Sequence, residues 1–182
     1  MRWVLPLCCC LSAGPAGAQD RPAALPTRDV DVTYRSEQGG QVLEQRSRFA
    51  AQSQRMRLDT PTPGLYMLVD YRARTMAVVS EVDHGVLDMK APAGALAGVD
   101  PASSYVRRGE DKVAGLACTE WQTQDTQGQA ALACFTTDGV LLRARRGEKV
   151  LALATRVAYG PVDPGLFTIP PGYNRVAGRN PR

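Results

Sequence analysis

Short segments of alternating apolar and polar residues, separated by turn signals, are the feature that most limits what this chain can fold into. Within residues 28–37, Val30, Val32 and Tyr34 share one parity, while polar residues occupy the other. This period of two is typical of a β-strand with one buried face. Gly39-Gly40 then marks a turn, and further segments of the same kind follow. We expect nine or ten strands joined mostly by short turns, which predicts antiparallel meanders.

Two neighbouring segments, residues 65–71 and 75–81, are apolar on both parities. A strand of this kind has to be covered on both faces of its sheet. The candidate cover is the segment 83–98, which Pro92 and Gly94 limit to one or two short helical turns. Its apolar side chains are Val86, Leu87 and Met89. The expected fold class is therefore α+β, mainly antiparallel β, with one or two short helices packed on the sheet.

The first residues have the pattern of a cleavable secretion signal. Arg2 gives a positive start, residues 3–11 form an apolar run too short to span a bilayer, and Ala16-Gly17-Ala18 is a small-x-small site. We expect cleavage after Ala18 and export to the periplasm. Lipid anchoring is the less favoured alternative, because the cysteines at 8–10 follow Leu7 or another cysteine and not a small residue.

Removal of residues 1–18 leaves 164 residues, since 182 − 18 = 164, which is the size of one domain. We expect a flexible segment at 19–27, one antiparallel β domain at 28–176 and a disordered tail at 177–182. The formal charge falls from +4 to +3 with the loss of Arg2. The basic residues are spread along the chain, and they are not interleaved with aromatic residues, so no nucleic-acid surface is predicted.

Signs of catalysis or metal binding are few. The chain has one histidine, His84, which lies beside Asp83 in a predicted turn. A histidine-rich metal site or a hydrolytic triad has no further histidine to use. The motifs of serine hydrolases, zinc proteases and nucleotide-binding proteins are also missing from the sequence. We therefore expect a protein without enzymatic activity, cofactor or metal. An enzyme with an unrecognised site is kept as a third option.

Cys118 and Cys134 are the cysteines that remain after cleavage. An even number of cysteines in an oxidising compartment favours a disulfide over a reactive dithiol or half of a metal site. The two positions fit a hairpin in which Cys118 lies directly opposite Cys134 and the loop is residues 124–128. In this arrangement Trp121 lies opposite Ala131, a residue small enough to leave room for the indole ring.

The C-terminal segment GLFTIPPGYNRV, residues 165–176, resembles a segment that follows the last strand in LolA-like periplasmic proteins. The signal sequence, the size and the antiparallel plan are similar too. The resemblance implies a curved sheet, an unclosed half-barrel, with short helices over its concave face and acyl chains bound there. The matching residues would be Tyr66, Leu68, Met76, Val78, Val86, Leu87, Met89, Leu151 and Leu153.

The resemblance leads to two functional hypotheses of different kinds. In the first, the protein binds a lipid, an acyl chain or a lipid-anchored partner on the concave apolar face. In the second, it is a structural or interaction module of the cell envelope whose core is filled and holds no ligand. Membrane contact would be peripheral at most. The presence or absence of an open apolar face separates the two.

Overall fold

The computed structural model describes residues 21–91, 99, 103–124 and 127–178. These residues form twelve strands and one short 3-10 helix, Pro164–Phe167. The strands are β1 Val30–Gln38, β2 Gln41–Ala50, β3 Arg55–Asp59, β4 Leu65–Asp70, β5 Thr75–Ser80, β6 Gly85–Lys90, β7 Val106–Val113, β8 Leu116–Gln124, β9 Ala130–Phe135, β10 Leu141–Arg146, β11 Lys149–Tyr159 and β12 Asn174–Ala177.

All twelve strands belong to one open sheet in the order β12-β6-β5-β4-β3-β2-β1-β11-β10-β9-β8-β7. Strands that follow one another in sequence pair antiparallel within two meanders, β1 to β6 and β7 to β11. The pairing of β1 with β11 joins the meanders. Strand β12 pairs parallel to β6, and so a long connection carries the chain from the middle of the sheet to its edge.

The expected α+β class is wrong, because the described residues form an almost purely β structure. The segment that we expected to be a covering helix instead forms β6, which pairs with β5 and β12. Val86 and Leu87 project to opposite faces of this strand: Leu87 and Met89 share one face, and Val86 shares the other with Asp88 and Lys90. Adjacent apolar residues are ambiguous between a helix and a strand covered on both sides. Residues 92–98 of the expected helix lie outside the described residues.

One face of the sheet carries the main core, and we call it the inner face. Phe49, Met56 and Leu142 on this face are at most 1% exposed. A twisted open sheet of twelve strands is expected to curl. The core cluster joins Met56 on β3 with Cys118 on β8, six strands along the sheet. The hydroxyl of Tyr34 on β1 also reaches past β11 and donates to the carbonyl of Leu141 (2.7 Å), so the core lies inside the curve.

The opposite, outer face of β4 to β6 is covered by the connection between β11 and β12. Ile169 and Tyr173 of this connection pack on five buried side chains, namely Tyr66, Leu68, Ala77, Val79 and Val86. The carboxylate of Asp29 fixes the start of the connection, since its oxygens accept hydrogen bonds from the amides of Ala51 (2.8 Å) and Val162 (3.1 Å). Irregular chain therefore provides the cover of the outer face of these strands.

The hairpin of β8 and β9 contains the predicted disulfide, with 5.5 Å between the Cα atoms of Cys118 and Cys134. The predicted register is wrong by two residues, because Glu120 and not Cys118 lies opposite Cys134. Trp121 accordingly faces Ala133, which also leaves room for its ring. The connection has the predicted length of five residues but lies one position later, since Gln124 pairs with Ala130. A shift of two keeps both cysteines on one face, so a diagonal bond forms.

The turn predicted at Asp138-Gly139 connects β9 and β10, and residues 21–27 pack beside it. The amide of Thr27 donates to the carbonyl of Asp138 (2.9 Å), and Leu25 packs against the main core. Gly139 has a φ of 87°, and a Cβ there would lie 2.7 Å from the Leu25 carbonyl oxygen. Only glycine suits both the backbone and the space. At the other end, Ala177 closes β12, and residues 179–182 lie outside the described residues.

Candidate functional site

The structure divides the residues that the sequence suggested as a ligand site between the two faces of the sheet. Met76, Val78, Leu87 and Met89 lie together on the inner face of β5 and β6. The other residues lie elsewhere. Tyr66, Leu68 and Val86 are on the outer face beneath the C-terminal connection, and Leu151 and Leu153 are on β11, five strands away from β5.

The inner face of β3 to β6 and β12 is organised in two rows of directly paired residues. The first row runs through Met56, Val69, Met76 and Met89. The second row runs through Leu58, Met67, Val78, Leu87 and Val176. Directly paired side chains on one face contact their neighbours, so each row is a continuous apolar strip.

Exposure rises along both rows towards the edge of the sheet. Met56 and Val69 are fully buried, at 0% and 1%, whereas Leu87 and Val176 are 39% and 62% exposed. Between them the side chains are half-buried. We name the open part of the two rows the methionine face, and it consists of Met67, Met76, Val78, Leu87, Met89 and Val176. The packed core thus continues into an apolar surface that solvent can reach.

Methionine is concentrated on this part of the sheet. Of the five methionines in the chain, four are in these rows, and the fifth is Met1. Methionine is unbranched and polarizable, and it adapts its shape to different apolar partners. Sequence reasoning found Met76 and Met89 but missed Met67 and Val176. Val176 could not be found from local pattern, because only the parallel pairing of β12 brings it beside Leu87.

Grooves and turns border the methionine face at two ends. Where β6 ends, a groove of about 480 Å³ is lined by Met89 of the methionine face, by Gly178, and by four residues with the parity of the outer face, Thr75, Asp88, Lys90 and Arg175. At the upper rim of the methionine face, the ring of His84 contacts the ring of Tyr173, with 5.2 Å between the centroids. The amide of Asn174 donates to the His84 carbonyl (2.8 Å). These contacts give the single histidine a role in attaching β12.

The outer face of β1 to β3 carries charged side chains that pair across strands. Arg46 binds Asp31, and Arg48 and Arg57 both bind Asp59. The hydrogen bond from Arg46 lowers the pKa of Asp31 below its ordinary value, although burial opposes this effect. The guanidinium of Arg57 lies over the Tyr66 ring, 3.6 Å from the centroid. This face is therefore a network of ion pairs that orders the strands.

The inner face beyond the methionine face carries a buried tyrosine on β1. The Tyr34 hydroxyl is buried, and burial raises its pKa far above the ordinary value, so it stays protonated and donates to Leu141. Among the described residues, no three side chains of histidine, cysteine, aspartate or glutamate are grouped as a metal ion requires. A search of the same residues for a helix long and apolar enough to cross a membrane finds none.

Comparison with known proteins gives matches in structure but not in sequence. No protein-family model and no curated protein matches the chain. An uncharacterised conserved protein from Thermus thermophilus superimposes with a TM-score of 0.59 at 12% identity, covering 84% of this chain and 91% of that one. PNGF-II gives a TM-score of 0.56 at 13% identity, with 83% of this chain and 31% of PNGF-II covered.

The Pseudomonas aeruginosa MucA/MucB complex gives a TM-score of 0.51 at 15% identity, and the match covers 76% of this chain and 54% of that chain. The chain therefore spans about a third of PNGF-II and about half of the MucA/MucB match. Identities this low show a shared fold alone. MucB has a LolA-like fold, so the resemblance noted in the sequence is supported at the coarse level of architecture.

Proposed function

We propose that this protein is an exported binding protein that holds an acyl chain on the methionine face. The observation that carries the proposal is the pair of cross-strand rows, which pass without interruption from buried Met56 to half-buried Met89 and from buried Leu58 to exposed Val176. A filled core ends at a polar boundary, whereas these rows continue as apolar surface into solvent. Monomeric proteins rarely leave such an apolar strip open without a partner for it.

The dimensions of the strip suit an acyl chain. The second row crosses five strands, from Leu58 on β3 to Val176 on β12. Four intervals of about 4.8 Å give it a length of about 19 Å. One alkyl chain laid across the strands would contact both rows and remove their exposed side chains from water. The methionine side chains would adjust to chains of different length and unsaturation.

The disulfide supports the exported part of the proposal. Both cysteines are almost completely buried, at 4% and 1% exposure, and the bond closes the β8–β9 hairpin. Structural disulfides of this kind persist in oxidising compartments such as the periplasm. The secretion signal predicted at residues 1–18 lies outside the described residues, so export rests on the cysteine pair and on that sequence pattern.

The experiment is the uptake of a neutral apolar fluorophore, N-phenyl-1-naphthylamine, and its displacement by a palmitoyl lipid. Val176→Asp places a charge on the exposed end of the methionine face, and we expect it to weaken uptake at least tenfold. Val42→Asp is the matched control, because Val42 is 57% exposed but lies on the outer face of β2. Circular dichroism checks that both variants fold. Equal uptake by wild type and both variants would refute the proposed site.

A second candidate is a protein-binding module with no lipid ligand. Two observations favour it: the centre of the inner face is filled by Phe49, Met56 and Leu142, and MucB, which shares the fold, is known in a complex with MucA. The same uptake experiment separates the candidates. A protein-binding module would take up no fluorophore and would leave purification without bound lipid.

A further inference from the structure

A row of directly paired residues crosses the outer face of the sheet from β2 to β6. It consists of Ala50, Arg55, Asp70, Thr75 and Lys90. Three grooves, of about 380, 190 and 480 Å³, lie along this row. The first two share Arg55 and Phe167 in their lining, and the last two share Thr75, Asp88 and Arg175. The three therefore follow one another in a line, which we name the outer groove.

The C-terminal connection forms one wall of the outer groove and makes its centre apolar. Phe167 and Ile169 of this connection line the middle groove, together with Leu68 and Ala77 of the sheet. From β2 to β6 the row spans four strand spacings of about 4.8 Å, or about 19 Å. This is the length of about six residues of an extended chain, each of which adds about 3.3 Å.

The carboxylates that line the outer groove are already engaged. Arg55 binds Asp70 at 3.0 Å, and Arg175 binds Asp88 at 2.6 Å. Each oxygen of Asp29, which lines the first groove, accepts a hydrogen bond from a backbone amide. The charge at the centre of the groove is therefore neutralised by the protein itself.

Two exposed cations of the lining have no carboxylate partner among the described residues. Arg72 lines the first groove and donates only to the carbonyl of Gln52 (2.6 Å). Lys90 lines the last groove and makes no ion pair or hydrogen bond there. Gln52 lies in the turn between β2 and β3, so about 14–19 Å separate it from Lys90 on β6. The outer groove thus has an available cation towards each end and an apolar centre between them.

We propose that the outer groove binds an extended segment of a partner protein, with an apolar side chain at its centre and an acidic one towards each end. Alternate side chains of an extended chain point the same way, so the pattern acidic-x-apolar-x-acidic spans about 13 Å. The long side chains of Arg72 and Lys90 reach over the remaining distance. A uniformly charged polyanion would leave the apolar centre unmatched. The inference goes beyond the proposed function, because the groove lies on the outer face.

The test uses the heptapeptide Gly-Asp-Ser-Leu-Ser-Asp-Gly with capped ends and its counterpart with asparagine in both acidic positions. Each peptide is titrated at low salt into the folded protein, and the backbone amide signals are followed by NMR. The acidic peptide should shift the amides of Arg55, Thr75 and Ile169. It should bind about tenfold more tightly than its counterpart, because it adds two exposed ion pairs. The preference should fall as ionic strength rises, since salt screens exposed charges.

The double variant Arg72→Gln/Lys90→Gln is expected to bind both peptides alike, at the affinity that wild type has for the asparagine counterpart. Its uptake of N-phenyl-1-naphthylamine should equal that of wild type, because neither residue belongs to the methionine face. The control variant Lys112→Gln/Lys149→Gln removes the same charge from exposed positions on β7 and β11 and should retain the full preference. Circular dichroism checks that both variants fold.

Equal binding of the two peptides by wild type, or amide shifts that lie outside the outer groove, would overturn the inference. Inorganic phosphate that displaces the acidic peptide at equal concentration would show a general anion site and would overturn it too. Broadening of the same three amides as the protein concentration rises would show that a second copy occupies the groove, against a separate partner. Failure of fluorophore uptake by wild type would overturn the proposed function alone and would leave this inference standing.

Discussion

Reduction of the disulfide is expected to cost a large part of the stability of this fold. The bond joins Cys118 and Cys134, which are 16 positions apart. In the chain-entropy model, opening a loop of this size lowers the free energy of unfolding by about 3 kcal/mol. The whole free energy of unfolding of a domain is only about 5–15 kcal/mol. For a chain of this length, that loss corresponds to a fall in Tm of about 6–12 °C.

The assay is urea unfolding of the protein in oxidised form, in reduced form and as Cys118→Ala/Cys134→Ala, followed by circular dichroism. The double variant separates loss of the bond from any effect of the reductant. Both alanines fit the buried positions, which lie at 4% and 1% exposure. A difference below about 1 kcal/mol between oxidised and reduced protein would refute the reasoning, because the hairpin would then be held in place without its covalent link.

Because burial decreases along the first row, the same change should cost different amounts of stability at its two ends. Met56→Ala should lower the free energy of unfolding by about 2–5 kcal/mol, and Met76→Ala, at a half-buried position, should lower it by clearly less. Equal losses for the two variants in urea unfolding would contradict the gradient of burial. The Arg46–Asp31 pair predicts a pH effect. The pKa of Asp31 is lower in the folded protein than in the unfolded chain, so its ionised form stabilises the fold. This stabilisation is present above the unfolded pKa of about 3.9 and is lost as the pH falls through the folded pKa. Asp31→Asn should therefore flatten the acid limb of the stability curve by up to about 1 kcal/mol, the pair being partly exposed. An unchanged acid limb would show that the pair contributes nothing.

Local pattern predicted the features of the fold that depend on neighbours in sequence. The alternation around Val30 and Val32 predicted β1, and the Asp138-Gly139 signal predicted the turn between β9 and β10. The predicted bond between Cys118 and Cys134 forms although the predicted register is wrong, because a shift of two residues in register preserves the face of every side chain.

Features that depend on distant segments were not predicted. The segment around Val86 was assigned to a helix, because nothing local shows that the C-terminal connection covers its second face. The position of Val176 follows from parallel pairing of β12 with β6, and this pairing joins residues almost ninety positions apart. The candidate site was therefore only partly predicted: Met76, Val78, Leu87 and Met89 share one face, whereas Tyr66 and its neighbours face the other way.

The most direct measurement of the central claim is a titration of the folded protein with lysophosphatidylcholine, observed at the methyl groups of its methionines by NMR. Substitution of single methionines by leucine assigns the signals. An acyl chain on the methionine face should shift the signals of Met67, Met76 and Met89 and leave Met56, which is fully buried, unchanged. A titration that shifts none of the three, or shifts all four equally, would contradict an acyl-chain site on this face.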